Sequence, residues 1–423
     1  MVDVYKLEKR PQTGIVMAGG GARGAYEVGV LLFLRERLGK RLGFDIPLDI
    51  LTGTSVGAIN ASYVAATLED PQNHINKLRE NWNTLRVDQL MSLDLSDVYR
   101  AGKLLFGSRV AEEKIRGSRH GGLINTNGLE KFVSRSIPWR AINENLKQGR
   151  LRALAVSATH VGSGHAVVFS QTQKDIKPGW SNNPFVKHRR ARIGPRHVLA
   201  SASIPMFFSA VKINQEYYTD GGLRQNTPMS PAIHLGADRL LVISLRHIAS
   251  AGELQQQKSN TYPRPLFLLG KAMDALLLDH TEYDLDRMER LNVILKAGKA
   301  VYGENFNVEL NRQMQSIHGG GALRALDAVH IRPSQDIGVL AADFINSGRA
   351  DIRNRFVARI LRSFVDAEEG TQSDFPSYLL FDGKFAELLI ELGYEDAAAQ
   401  EEELAELFSV YGKLKKTDKL TSV

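Results

Sequence analysis

Ser55 lies in Gly53-Thr54-Ser55-Val56-Gly57, a G-x-S-x-G pattern between an apolar stretch and a helical one. A sharp strand-to-helix turn pushes such a serine out of the backbone path, and flanking glycines clear space for an electrophile. The helix N-terminus behind it favours nearby negative charge. A serine hydroxyl is a poor nucleophile at neutral pH and needs a base. Two positions offer one. His247 follows the apolar "LLVISL" and could complete a triad in the order Ser55, Asp, His247. Asp220, in "YYTDGGLRQNTP", ends a strand pattern where Gly221-Gly222 makes a turn. A carboxylate held directly against Ser55 could take its proton without a histidine. Taken alone, "DGG" also reads as an ordinary turn.

A second stretch, "GIVMAGGGARGAYEVGVL" at 14–31, holds Gly19, Gly20, Gly21 and Gly24 before a helical segment. Glycine lets a ligand approach the backbone, and the first N–H groups of a helix are unpaired and attract anions. The anion could be a nucleotide phosphate, because Gly19, Gly21 and Gly24 fit G-x-G-x-x-G, or an oxyanion made during acyl transfer. A dinucleotide fold needs an acidic residue at the end of its second strand. Asp45 and Asp49 precede or open that strand, and its end carries Ser55. That favours the oxyanion. A nucleotide-binding regulatory protein without catalysis stands as the alternative of a different class.

These turns need strands and helices to hold them. "GIVMA" reads as a buried strand and "YEVGVLLFLRERLGKRL" as a helix. "IPLDILTG" is a second strand, and "VGAINASYVAATLED" a helix stopped before Pro71. "LRALAVSATHV" and "GHAVVFSQ" pair around "GSG", "FFSAVKI-NQ-EYYTDGG" is a hairpin, and "ADRLLVISL" is another buried strand. Alternating strands and helices predict an α/β fold with a mostly parallel sheet. After about residue 250 the texture changes. A polar segment with two prolines, "ASAGELQQQKSNTYPRP", reads as a linker, and long helical patterns follow. The "HGGGALRAL" stretch at 318–326 reads as a loop.

Bulk properties bound the rest. The chain has 423 residues, 43% of them apolar, enough for a large core. It has no cysteine, so thiolate and Cys-zinc chemistry are excluded. No apolar run approaches the roughly 20 residues that span a bilayer, and the first residues lack a signal-peptide core. The expectation is a cytoplasmic protein, attached at most to a membrane surface. The net charge is +7 and uneven. Lys187, Arg189, Arg190, Arg192 and Arg196 crowd "VKHRRARIGPRH". The bland reading is a solvated loop; the sharper one is a patch that draws the protein to anionic lipid. Nothing in the sequence looks like a nucleic-acid module.

Three of these turns together, "GGGARG" at 19–24, "GTSVG" at 53–57 and "DGG" at 220–222, with "ASASIPMFF" at 200–208, resemble the patatin-like phospholipases, serine acyl hydrolases with a Ser–Asp dyad. The resemblance runs from residue 14 to about 250. It implies a three-layer α/β/α fold, Ser55 as nucleophile, Asp220 as proton acceptor and an oxyanion hole at Gly20, Gly21 and Ala22, with Arg23 beside it. Gly19 and Gly24 complete that substrate-binding turn; Gly53, Gly57, Gly221 and Gly222 complete the motifs. It implies a lipid ester substrate and no metal or cofactor. The domains expected are 10–250, the catalytic sheet unit, and 251–423, a mainly helical extension.

Overall fold

A computed structural model describes residues 11–71, 73–90, 125–174, 185–205, 207–249, 281–318, 323–352 and 375–409, with 176, 180, 252, 358, 359 and 361 singly. The expected linker and the glycine triplet at 319–321 lie wholly or largely outside them.

In chain order, β1 (Thr13–Met17) leads through a tight helical turn, Gly21–Gly24, into α1 (Ala25–Phe33). The unit repeats as β2 (Ile50–Thr54) and α2 (Val56–Thr67), followed by α3 (His74–Asn83), α4 (Asn127–Ser136) and α5 (Trp139–Lys147). Next come β3 (Ala153–His160), β4 (Ala166–Thr172), β5 (Val186–Arg190) and α6 (Pro195–Ser201). The hairpin β6 (Val211–Ile213) and β7 (Glu216–Asp220) precedes α7 (Met229–His234) and β8 (Arg239–Ile243). The later residues give α8 (Thr281–Tyr302), α9 (Phe306–His318), β9 (Asp327–Ile331), α10 (Ile337–Asn346), α11 (Phe375–Leu379) and α12 (Gly383–Ala399).

Among the described residues nine strands form one sheet, in the order β5-β4-β3-β2-β1-β8-β9, with β7 and β6 attached beside β3. β1 pairs in parallel with β2 and β8, and β2 with β3. Both faces are covered. Ile15, Met17, Leu51, Leu241 and Ile243 pack into a core with α1, α2, α3, α10 and α12. Their neighbours Val16, Ile50, Leu240 and Val242 pack against α7 and the start of α8. A central parallel strand is buried on both sides, which is why these strands read as continuous apolar runs. The result is a three-layer α/β/α fold with a helical C-terminal region. That region also supplies β9 to the sheet edge and α12 to the surface of α1.

Two local readings differ from the sequence. The second strand opens at Ile50, not Ile46: Pro47 has no N–H to give a ladder, and the Asp49 carboxylate accepts the Thr13 N–H (3.0 Å). The basic run is an edge strand, β5, followed by α6, not a loop. The sheet edge tolerates charge where a central strand would not.

Candidate active site

The site rests on a hand-over along one edge of β3. β2 pairs with β3 up to Thr54 opposite Ser157. One residue further, β7 takes the edge in antiparallel sense, with Asp220 opposite Ala158. Where β2 ends and β7 ends, Ser55 and Asp220 meet. The Ser55 Oγ donates to Asp220 Oδ2 at 2.8 Å. Both are buried, at 6% and 1% exposure.

Ser55 takes φ 53° and ψ −120°, a strained conformation for a residue with a side chain. Several contacts hold it there. Its N–H donates to Ser201 Oγ (2.8 Å), and Ser201 donates to the Ser157 carbonyl (2.6 Å). Gly57 lets α2 approach β1: a Cβ there would stand 2.4 Å from the Met17 carbonyl oxygen.

Asp220 is fixed from three sides. Gly222 N–H donates to its Oδ1 (2.7 Å), Thr159 Oγ1 to its carbonyl (2.8 Å), and its own N–H to the Ser203 carbonyl (2.9 Å). Burial pushes its carboxyl up to about 6, while the hydrogen bonds from Gly222 and Ser55 pull the other way. A carboxylate with that affinity is mostly ionised at neutral pH and can accept a proton.

Gly19, Gly20 and Gly21 line the same cleft as Ser55 and Asp220, with Ile204, Asn226 and Tyr378. The Gly19 N–H donates to the Asn226 carbonyl (3.1 Å), and Asn226 Nδ2 returns a bond to the Gly19 carbonyl (3.2 Å). The first and third turns are thereby stitched together. Thr54 Oγ1 adds a bond to the Gln225 carbonyl (2.8 Å). Ala22, Arg23 and Gly24 stand behind this wall. Gly24 is packed on Val56, and Arg23, 4% exposed, turns inward to Ser377 (2.7 Å) and the Leu245 carbonyl (3.4 Å). His247 is held elsewhere, its Nδ1 bonded to the Pro333 carbonyl (3.0 Å) at the end of β9. Among the described residues the Ser55 hydroxyl bonds to Asp220 alone. No cluster of three or more ligating side chains suited to a metal occurs among them.

A patatin-like phospholipase model matches residues 15–233, just over half of the chain. The chain belongs to the patatin-like phospholipase family. A patatin-like phospholipase domain-containing protein of Caenorhabditis elegans is 47% identical over 57 residues, 14% of this chain and 4% of that one. A probable lipid hydrolase of Invertebrate iridescent virus 6 is 24% identical over 229 residues, covering 54% and 66% of the two chains. An NTE family protein of Mycobacterium bovis is 23% identical over 266 residues, covering 63% and 58%. The matches thus span from 4% to 66% of these relatives' lengths. The human GIVD cytosolic phospholipase A2, solved with methyl gamma-linolenyl fluorophosphonate, is 14% identical with a TM-score of 0.39, over 95% of this chain and 60% of that one.

Ser201, Ser203 and Asn226 were not singled out from the sequence. Ser201 and Ser203 sit in "ASASIPMFF", which attracted notice only by resemblance. Asn226 follows "DGG" closely enough that the turn carrying Asp220 had to pass near it, a signal available in the spacing.

Proposed function

We propose that this chain is a lipid acyl hydrolase that cleaves carboxylic esters through an acyl-enzyme on Ser55. Asp220 accepts the Ser55 proton as Oγ attacks the ester carbonyl. The tetrahedral oxyanion is met by backbone N–H groups of Gly20, Gly21 and Ala22, at the start of the helical turn that follows β1. Collapse releases the alcohol, protonated by Asp220, and leaves an acyl-serine. Water, deprotonated by Asp220, then hydrolyses it. The observation that carries this reading is the 2.8 Å bond from Ser55 Oγ to Asp220 Oδ2 in a buried cleft walled by the glycine turn.

A dyad is favoured over a triad because both Asp220 oxygens are engaged, by Ser55 and Gly222, while His247 bonds to Pro333. The nucleotide reading is disfavoured because the glycine turn shares its cleft with Ser55 and Asp220. The deciding experiment is labelling with a fluorophosphonate followed by peptide mapping. A single adduct on Ser55 is the expected result; no adduct, with saturable nucleotide binding, would overturn the proposal.

The membrane reading is kept as part of the proposal in narrowed form. Arg189 is tied to Glu216 and Tyr218, and Arg190 to Thr172 and the Ile176 carbonyl. These two arginines serve the fold of the sheet edge, so attraction to anionic lipid falls on Lys187, Arg192 and Arg196, the last making only a long, exposed contact to the Lys212 carbonyl (3.5 Å). No helix among the described residues is long and apolar enough to cross a membrane.

A further inference from the structure

The cleft at Ser55 is not walled by the family-matched residues alone. Tyr378 lines it, and Tyr378 belongs to a segment more than a hundred residues past the matched 15–233. The same segment holds Phe381, which lines a second, apolar cleft. That cleft is lined by Val56, the residue next to Ser55, by Ile59 and Tyr63 of the same helix, and by Trp82 and Phe132.

The segment is gripped where it crosses the site. Arg23 Nε donates to Ser377 Oγ (2.7 Å), with Ser377 fully buried, and the Arg23 guanidinium stacks 4.2 Å from the Tyr378 ring centre. Gly21 has φ +58°, and a Cβ on it would stand 2.2 Å from the Tyr378 carbonyl oxygen, so the two backbones touch. Phe381 stacks on Trp82, with ring centres 6.1 Å apart and planes at 16°. Beyond it, Asp382 caps α12 by accepting the Lys384 N–H (2.9 Å) and the Phe385 N–H (3.2 Å). α12 in turn lies on α1, where Tyr26 donates to Asp396 (2.8 Å).

We infer that residues 377–381 form the acyl-selecting wall of the active site. Tyr378 bounds the space beside the scissile carbonyl, and Phe381 bounds the apolar cleft that receives the far end of the acyl chain. Ser377 is a positioning residue: by holding Arg23 it fixes the turn whose N–H groups face the oxyanion. The chemistry of the wall, two aromatic rings and an aliphatic groove with few polar atoms, suits a long hydrocarbon chain. This inference rests on the reading of Ser55 as nucleophile.

The test is a chain-length profile. Hydrolysis of para-nitrophenyl butyrate, octanoate and palmitate is measured for the parent, Tyr378→Ala, Phe381→Ala, Ser377→Ala and Ser377→Thr, with fluorophosphonate labelling of Ser55 in parallel. Tyr378→Ala and Phe381→Ala should each change the palmitate-to-butyrate ratio of kcat/KM by about tenfold or more, because pocket contacts of this size discriminate on that scale. Ser377→Ala should lower kcat about tenfold on every ester with KM nearly constant, and Ser377→Thr, which keeps the hydroxyl, should restore it. Where an alanine variant fails to fold, Tyr378→Phe and Phe381→Leu report the same ratio with less loss of packing. Parent-like ratios in the aromatic variants would overturn the inference while leaving the catalytic reading intact. A parent that neither hydrolyses esters nor labels at Ser55 would overturn both.

Discussion

The backbone N–H of Ser55 donates to the side chain of Ser201, 2.8 Å away, and that hydroxyl in turn donates a hydrogen bond to the Ser157 carbonyl. A residue from α6 thus bridges the end of β2 to β3 and holds the strained turn. Ser201→Ala would leave a buried donor and a buried acceptor without partners, which costs about 1–3 kcal/mol each way it is counted. We expect Ser201→Ala to lower kcat about tenfold to a hundredfold, more than its loss of thermal stability explains, because the turn relaxes and Ser55 loses its aim. Kinetics taken well below the melting transition check this. Parent-like kcat together with a lowered Tm would mean that Ser201 only supports the fold.

In the proposed mechanism Ser55 and Asp220 act on one proton, so their losses should not add. Ser55→Ala and Asp220→Asn are each expected to cost several orders of magnitude in kcat, and the double variant little more than either alone. His247→Ala should stay within a fewfold of the parent, since its ring is bonded to Pro333. Turnover of a soluble ester by all four proteins decides the matter. A dead His247→Ala protein with a native melting curve would favour a triad.

Burial pushes the Asp220 carboxyl up to about 6, above its ordinary 3.8. The folded state therefore holds this proton more tightly than the unfolded chain does. The stability it contributes is complete below 3.8 and is lost as pH rises through about 6. Activity moves oppositely, because only the carboxylate can accept the Ser55 proton. The acid limb of kcat/KM should have its midpoint near 6. Because histidine titrates in the same region, the profile is measured on His247→Ala as well, where the limb should persist. A limb at the ordinary carboxylate value would argue against Asp220 as base.

Much of this site was legible because its parts are local. A strand running into glycines and then a helix is a pattern within some fifteen residues, so β1, β2 and both turns could be read, although β2 opens later than expected. The pairing of Ser55 with Asp220 could not be derived from either motif alone. It depends on β7 replacing β2 on the edge of β3, a long-range event that resemblance implied and propensity did not. The β6–β7 hairpin itself was readable, since Asn214 and Gln215 supply the two positive φ angles such a turn needs. β9 and the wall at 377–381 were missed for a physical reason. "DAVHI" is short and half-buried at an edge, and Ser377, Tyr378 and Phe381 gain meaning only from Arg23 and Trp82, some three hundred residues earlier.

The basic run offers a test of the proposed attraction to anionic lipid. Arg189→Gln removes the partner of Glu216, whose carboxyl that arginine holds down to about 2, and is expected to lower Tm without altering vesicle binding. Lys187, Arg192 and Arg196 changed together to glutamine should leave Tm nearly unchanged. They should weaken co-sedimentation with anionic vesicles at low salt, by about 1 kcal/mol per residue at the surface. Equal binding by the triple variant and the parent at low salt would remove this patch from the membrane role.

Glu27 is a second carboxyl whose hold on its proton is raised by burial. It is fully buried in α1 between the glycine turn and α2. Its Oε2 accepts from Asn60 Nδ2 (2.8 Å), and the same amide reaches the Gly24 carbonyl (2.9 Å). Asn60 Oδ1 is taken by Trp82 Nε1 (3.1 Å), and Oε1 of Glu27 has no partner among the described residues. Burial raises the Glu27 carboxyl well above its ordinary range, and the bond from Asn60, with the nearby Ala18 backbone, only partly offsets that. The folded state thus favours the protonated acid, so stability is complete below the ordinary value of 4.5 and declines as pH rises above it. Glutamine keeps the shape and the acceptor for Asn60 and carries no charge. Glu27→Gln should therefore raise Tm relative to the parent at pH 8 and match it near pH 5. Glu27→Ala, which leaves Asn60 with a lost acceptor and a void, should lower Tm at both, by the equivalent of about 2–4 kcal/mol. Thermal melts of the three proteins at the two pH values check this. A Glu27→Gln protein less stable than the parent at pH 8 would show that the carboxylate is ionised in the fold and that an unrecognised donor meets Oε1.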